Sequence, residues 1–586
     1  MKPRRSIVLP SICLLFLLGL SIFPYTQSGF YFDDIYNSEL SGTLLSLHES
    51  LFEFLDKILN MWVIQDGRLY PLALITNYSF WKVSDDLLVD RTLQIIMVFL
   101  DIAAFWILSR SLSKSLSVAM MAVFLFPALL QVSNLFDGVT SFGGLYQIIP
   151  LFIFISLYAL LRYVSEERAS PLWCVLAVTA ELCALLTYEV AVCLLPGMIA
   201  ISFYTAKNSA RRLTGLVASF SVFFLYLILY FWFLFHRTSS YDGSEFWVSG
   251  KTFGTFLAQF VSAFPLALLL NGPSPTVKSE NVFIIAVLFV AFFLCSVAFL
   301  KNTYVAGSYE SDRKGIRSLS IIAVSLMLFP PLIISVSKKY EHLVDFGSAY
   351  SVVYIQIFGV ALGLSILLGE VVRLLRTKEG WFREVLVRRS LWVVLGGALA
   401  YSVVTTMTVR LNYERIRSFN QGWNVTVRKQ TEKILALGFL SDVPIKDGVV
   451  ILEDPYIWEA GFLPRFRKRN IEVCEAFLSL YAKKHVRCVT KNALAKKESS
   501  LLHVLPKNIY TLKRLVRGGN IVQATLVSEG SRTVATLSYL NGKETYMILH
   551  DKSDSHRPEG RIGVRQKHGG NAGIKRCCRE SSAWVK

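Results

Sequence analysis

SIVLPSICLLFLLGLSIFPYTQSGFYFDD, residues 6–34, decides the fold. The segment follows the basic start Met1-Lys2-Pro3-Arg4-Arg5 and stays apolar for about the 20 residues that cross a ~30 Å hydrocarbon core. It then breaks into a polar stretch carrying Asp33 and Asp34. A basic start and an apolar centre also describe a cleaved signal peptide. No small-residue cleavage site follows Gly19 to Phe23, however, and Phe30-Tyr31-Phe32 continues apolar, so the segment reads as a retained span.

Working outward, comparable runs recur near 88–109, 115–134, 146–163, 171–188, 189–206, 212–235, 281–300, 317–337, 350–370 and 390–409. Composition agrees. Of 586 residues 53% are hydrophobic and 18% charged, and the mean hydropathy is +0.47, well outside the range of a water-soluble globule. The expectation is a polytopic α-helical membrane protein with about eleven transmembrane helices.

Lysine and arginine set the expected orientation. The N-terminus, Arg110 with Lys114, Arg162 with Arg168, Lys207 with Arg211 and Arg212, Arg313 to Arg317, and the loop Arg373 to Arg389 fall on one side if the spans are counted as above. That side is read as cytoplasmic. The loops Ser28 to Asp86, Asn134 to Gln147 and Arg237 to Glu280, and everything after Val409, then lie outside. The net charge of +19 suits anionic lipid. Nucleic acid is excluded as a partner, because the basic residues are scattered among spans rather than gathered on one domain with a stacking platform.

Three regions follow: a membrane domain over 1–410 with a first outer loop at 27–87, an extracytoplasmic soluble α/β or α+β domain over 411–550, and a basic tail over 551–586 expected to be disordered. In the soluble region, Val449 to Leu452, Gln523 to Val527 and Thr533 to Leu540 read as strands, and Thr431 to Leu440 and Glu472 to Lys484 as helices. Five cysteines, Cys13, Cys174, Cys183, Cys193 and Cys295, sit in apolar runs as small hydrophobes. Cys474 and Cys488 suit one disulfide in an oxidising compartment, while Cys577-Cys578 lacks the further ligands of a metal site.

The first outer loop carries the most chemistry. Leu44, Leu47, Leu51, Phe54, Leu55, Ile58 and Leu59 recur at helical intervals, so 42–60 reads as one amphipathic helix lying in the membrane interface. Adjacent carboxylates at 33 and 34 repel unless a cation or polar substrate uses them, and Arg68 waits at the far end of the same loop. Glu189 lies between two apolar runs with almost no loop, where an unpaired carboxylate is costly; Asp101 and Glu181 lie deeper and are expected to pair within the bundle.

The order first span, Tyr31-Phe32-Asp33-Asp34, interfacial helix, Asp66-Gly67-Arg68-Leu69-Tyr70-Pro71, many spans and an outer C-terminal domain resembles the GT-C superfamily of integral membrane glycosyltransferases. Within it, the chain is similar to bacterial members related to O-antigen glucosyl- and other polyprenyl-phosphate-sugar transferases. Thr187-Tyr188-Glu189, Tyr241-Asp242-Gly243, Lys338-Lys339-Tyr340-Glu341-His342 with Tyr350, and Asn420 to Trp423 fit the same order. The resemblance covers roughly 1–430. The W-W-D sequence of oligosaccharyltransferases and the Pro-Pro-Leu-Gly-Lys segment of protein mannosyltransferases are both missing from the sequence, which departs from those subfamilies.

The resemblance implies sugar transfer from a polyprenyl-phosphate carrier to a glycan, lipid or protein acceptor of the cell envelope, as in lipopolysaccharide synthesis, at the outer face of a bacterial inner membrane. Asp33 or Asp34 fits the base, with Asp33 preferred and Asp34 positioning it or binding sugar hydroxyls. Arg68, Lys338 and Lys339 fit the donor phosphate. Tyr188, Glu189, Tyr241, Asp242 and His342 are candidates for sugar or acceptor binding. Hard oxygen ligands at the Asp pair suit Mg²⁺ or Mn²⁺, but two carboxylates are too few to define a metal site, and no cofactor is certain. Two rival functions stay open: a transporter of lipid-linked sugars, which would use Asp101 and Glu181 at mid-membrane, and an envelope polysaccharide polymerase or ligase.

Overall fold

A computed structural model describes residues 8–31, 34, 37–83, 86–132, 137–239, 241–243, 245–270, 282–302, 312–377 and 390–420, and beyond these 449–452, 476, 479–480, 487–490, 509–515, 521–529, 532–539 and 544–551. Chain contacts divide it into two units, Met1–Leu40 with Ser50–Thr426, and Ser41–Glu49 with Val427–Lys586.

The first unit is helical. Among the described residues, eight helices are long and apolar enough to cross a membrane, so the protein is a polytopic helical membrane protein. They contain α1 (Val8–Ile22), α5 (Leu87–Ser113), α7 (Leu145–Ser165), α10 (Ser209–Phe235), α12 (Val282–Leu300), α13 (Arg313–Ser335), α14 (Val353–Thr377) and α15 (Ser390–Asn420). The other three runs read as spans from the sequence are shorter helices: α6 (Leu116–Leu129), α8 (Leu172–Thr187), and a 3-10 turn at Glu189–Cys193 leading into α9 (Leu194–Thr205). At 14 residues, α6 reaches only about 21 Å. It nevertheless runs through the middle of the bundle with nearly every side chain buried. The backbone that continues it is satisfied by side chains of α15: Asn412 accepts from Val132 N–H at 2.8 Å and donates to Leu130 O at 2.8 Å, and Arg415 donates to Val132 O at 3.3 Å. Non-helical backbone at this depth needs such a partner, since hydrocarbon offers none.

Aromatic packing locks the bundle. Phe105 of α5, Phe154 of α7 and Phe358 of α14 meet with ring centroids 5.1–5.4 Å apart, and Phe124 of α6 stacks on Phe299 of α12 at 4.3 Å and on Tyr401 of α15 at 4.0 Å. Asp101 accepts from Tyr354 Oη at 2.8 Å, the pairing its depth requires.

The chain between the first two long spans differs from the single amphipathic helix expected over 42–60. It forms α2 (Leu40–Leu47) and α3 (Leu51–Leu59), separated at His48, whose φ is +55°. Ser50 starts α3 afresh: its hydroxyl accepts from Glu53 N–H while the Glu53 carboxylate accepts from Ser50 N–H, a reciprocal cap that fixes a new N-terminus. A π-type turn, Asn60–Gln65, and α4 (Pro71–Val83) complete the stretch.

The second unit holds a sheet of six strands, β1 (Val449–Leu452), β2 (Arg487–Thr490), β3 (Ile509–Leu515), β4 (Ile521–Glu529), β5 (Arg532–Tyr539) and β6 (Glu544–Asp551), in the order β2-β1-β3-β4-β5-β6. β1 runs parallel to β2, and the other neighbours are antiparallel. Gly42 of α2 lies against the backbone of Ala476, where an added Cβ would overlap the carbonyl. Cys474, Cys577, Cys578, the helix expected at 431–440 and the tail after 551 lie outside the described residues.

Candidate functional site

Five separate loops bring a cationic, tyrosine-rich cluster together. The turn after α3 is decisive. Gly67 has φ +69°, and a Cβ there would meet Phe233 O and Arg237 Cβ at 3.0 Å, so only glycine lets the chain lie this close to the end of α10. Thr238 and Ser239 N–H both donate to Gln65 O at 3.0 Å, and Ser239 Oγ donates to Asp66. The next residue, Arg68, is thereby aimed inward.

Arg68 is buried and donates from Nη2 to Glu189 Oε1 at 2.9 Å. Its guanidinium lies 4.4 Å from the ring centre of Tyr70, 5.5 Å from Tyr188 and 5.8 Å from Tyr241. Burial draws its pKa down, but Glu189 and the surrounding tyrosine oxygens outweigh this and hold it above the ordinary arginine value. Tyr188 and Glu189 project here because Tyr188, at φ −163°, is an extended residue between α8 and the following 3-10 turn.

The 3-10 turn Lys338–His342 supplies the second cation. Lys339 Nζ donates to Tyr241 Oη at 2.8 Å. Burial again pulls downward, and Tyr340 and Tyr241 more than offset it, raising the ammonium pKa above 10.5. The Tyr340 and Tyr188 hydroxyls share a hydrogen bond of 3.2 Å, and the Tyr340 ring is 4.5 Å from Tyr350. Arg68 and Lys339 thus share Tyr241 between them, an arrangement of two like charges that favours an anion.

Asp34 lies at a neighbouring turn. Its Oδ1 accepts from Phe142 N–H at 2.8 Å. Phe142, Gly143 and Gly144 have φ of +60°, +52° and +80°, so Asp34 fastens a tight left-handed turn ahead of α7. Aromatic rings carry this turn to the cluster: Phe142 is 5.6 Å from Tyr146, which is 5.9 Å from Tyr188 and 6.1 Å from Tyr350.

Other expected residues lie further out. Lys338, adjacent to Lys339, turns away to Glu245 at 3.2 Å, an exposed pair. Asp242 and His342 are exposed. Asp33 lies outside the described residues. Among the described residues no three His, Cys, Asp or Glu side chains form a metal-ligand set.

Arg91, buried on α5, went unread in the sequence. Its guanidinium donates to Asp90 at 2.7 Å, to Thr140 O at 2.8 Å and to Gly29 O at 2.5 Å, and it also bonds Ser28 O and Gln94. It therefore ties the chain leading to Asp34 to the turn that Asp34 fastens. The signal was there: an Asp-Arg pair opening an apolar run is costly unless it has structural or functional partners. Tyr146 and Trp62, 5.1 Å from Tyr241, had no comparable signal.

Fold and site together define a multi-pass membrane protein with a buried cation–tyrosine cluster built from loops between its helices. No family model and no curated protein matches the chain. Among solved structures it is similar to the oligosaccharyltransferase of Archaeoglobus fulgidus in the apo form, with 11% identity, a TM-score of 0.35, and 83% of this chain and 64% of that one covered. It is also similar to the archaeal oligosaccharyltransferase AglB from the same organism in complex with an inhibitory peptide and a dolichol-phosphate, with 13% identity, a TM-score of 0.34 and the same coverage. The chain thus spans just under two thirds of those proteins' length.

Proposed function

We propose that the protein is a GT-C-type membrane glycosyltransferase that moves a sugar, a hexose or a relative, from a polyprenyl-phosphate carrier to a cell-envelope acceptor at the outer face of a bacterial inner membrane. The observation that supports it is the pair of cations, Arg68 and Lys339, meeting at Tyr241 within a tyrosine cluster, with Glu189 beside them. Such a site suits a sugar phosphate. The guanidinium and ammonium meet the phosphate, aromatic faces meet the sugar ring, and a carboxylate accepts from sugar hydroxyls.

In the reaction, an acceptor oxygen attacks the anomeric carbon as its proton passes to a carboxylate. The bond from that carbon to the phosphate oxygen breaks with its electron pair staying on the phosphate. Arg68 and Lys339 stabilise the charge that grows there. Asp34, with Oδ1 engaged by Phe142 N–H, suits the positioning role and leaves Asp33 as the base. No step is assigned to a metal. Lys338, Asp242 and His342, set outside the cluster, suit an acceptor approaching from solvent, and the soluble domain at 411–550 suits its recruitment.

Lipid-linked sugars and envelope glycans compared by mass spectrometry in cells lacking the protein test this, with wild type or Asp33→Asn/Asp34→Asn restored at matched expression. Wild type should restore a missing glycan, while the double variant leaves the sugar on its carrier. Full function in the double variant, with loss in Asp101→Asn and Glu181→Gln, would transfer the assignment to transport.

A further inference from the structure

The loop between α10 and α12 holds a helix with its sides reversed. In α11 (Thr252–Val261) the buried residues are Thr255, Ala258 and Gln259, which share one face at helical spacing. The opposite face carries Phe253, Phe256 and Phe260, with successive ring centroids 6.5 and 6.0 Å apart, and Phe253 is 69% exposed. A buried glutamine behind an outward aromatic stripe is the wrong way round for water. The glutamine is occupied: Gln259 Oε1 accepts from Tyr350 N–H at 2.9 Å, and its Nε2 donates to Tyr350 O at 3.2 Å and to Gln356 Oε1 at 2.9 Å. At 10 residues, about 15 Å long, α11 is too short to cross hydrocarbon.

The segment just before it repeats the pattern. Its backbone is fastened to the end of α13: Trp247 N–H donates to Val336 O at 2.7 Å, Phe246 pairs with Ser337 as an antiparallel bridge, and Ser249 Oγ donates to Glu341. The side chains are left outside, Phe246, Trp247 and Val248 being 76%, 47% and 65% exposed. Lys338 Nζ lies 5.9 Å from the Trp247 ring centre. On α13 an outward stripe of Val324, Leu328 and Leu332 leads at the next turn to Val336. The exposed rings therefore stand where a span leaves hydrocarbon, the level that suits tryptophan beside lysine.

We infer that residues 246–260 form an interfacial anchor, its aromatic side seated in lipid at the boundary of headgroups and acyl chains. The occupant is bilayer because the patch continues the outward stripe of a span, and because a short helix with a large apolar outer face buries it by lying in the interface plane. The anchor holds the cation cluster at two points. Through Gln259 it fixes the backbone of Tyr350, and through its bonds to 336–341 it fixes the turn that carries Lys339. None of this draws on sugar chemistry, and it would hold equally for a transporter.

Nitroxide labels at Val248→Cys and Phe253→Cys test it in the full chain in phosphatidylcholine nanodiscs, with the signal of labelled wild type subtracted for its native cysteines. Oxygen, which concentrates among acyl chains, should relax both labels more than a water-soluble nickel chelate does. Its advantage should be smaller than at Ile228→Cys, which lies further inside the span of α10. Labels relaxed mainly by nickel place the segment in water, and labels shielded from both reagents place it under protein, a second copy or a partner; either overturns the inference. The hold on the cluster has its own readout. Val248→Asn/Phe253→Asn removes no hydrogen-bonding group. In nanodiscs it should speed amide exchange about tenfold at Trp247 and Tyr350, whose N–H groups bond Val336 and Gln259, the scale set by withdrawing a large apolar side chain from hydrocarbon. The Phe142 amide, held by Asp34, should keep its rate. Unchanged exchange at Trp247 and Tyr350, or equal acceleration at Phe142, overturns the hold on the cluster.

Discussion

At the scale of single residues, the Arg68–Glu189 pair carries the sharpest prediction. Both partners are largely buried, with side-chain exposures of 8% and 22%, so removing one strands a charge. Arg68→Met or Glu189→Gln should each cost about 3 kcal/mol of stability in detergent unfolding, and the double variant should recover part of it. If Arg68 stabilises the departing phosphate, Arg68→Met should also lower turnover by about 10²–10³. Lys339 gives a pH signature. Its folded pKa lies above 10.5, so its contribution is complete below that value and is lost as pH rises through the folded pKa. Unfolding followed from pH 9 to 12 should therefore show a steeper alkaline decline in wild type than in Lys339→Met, about 10.5 being where the unfolded group begins to lose its proton. These residues were visible in the sequence because charges beside apolar runs are conspicuous. Which of them pair was not, since Glu189 lies 121 positions from Arg68 and no local pattern joins them.

At the scale of elements, turns decide where side chains go. An alanine at Gly143 would place its Cβ 2.8 Å from Trp81 Nε1 and 2.9 Å from Phe80 Cδ1 at φ +52°. Gly143→Ala should thus cost about 1–3 kcal/mol and speed exchange of the Phe142 amide that Asp34 holds. Ser50→Ala should remove the cap of α3, about 1 kcal/mol, and raise amide exchange at 51–54 about fivefold. The eleven apolar runs read along the chain all coincide with helices, because hydrophobicity is a local property. Where helices break was harder to read. The left-handed His48 and the Ser50 cap interrupt an apolar periodicity that runs through 44–59 without a gap, whereas the break after α8 falls where the runs 171–188 and 189–206 meet. The short span of α6 was hidden for a related reason: its extended continuation is paired by Asn412, 280 residues away.

At the scale of the whole membrane unit, helices differ in how far they are enclosed: the apolar window of α10 is 11% buried and that of α12 17%, against 67% for the span that starts α14. A cysteine at Ile228 should consequently resist water-soluble maleimide, and a fluorophore placed there should be quenched by brominated lipid, while one at Phe358 should not. The unit is also latched end to end. Gly29 N–H donates to Asn420 Oδ1 at 2.9 Å, Tyr31 Oη donates to the same oxygen at 2.7 Å, and Asn420 donates to Gln27 O at 2.7 Å. Gly29 and Asn420 stand 391 residues apart in sequence. At about 5–20 residues per second of synthesis, the stretch leading to Asp33-Asp34 leaves the ribosome roughly 20–80 s before the asparagine that secures it. During that interval the later spans of this unit are made while the loop, held meanwhile by Arg91 at Ser28 and Gly29, waits for its second clasp, so a segment made almost first is fully fastened only once the span ending at Asn420 has been made.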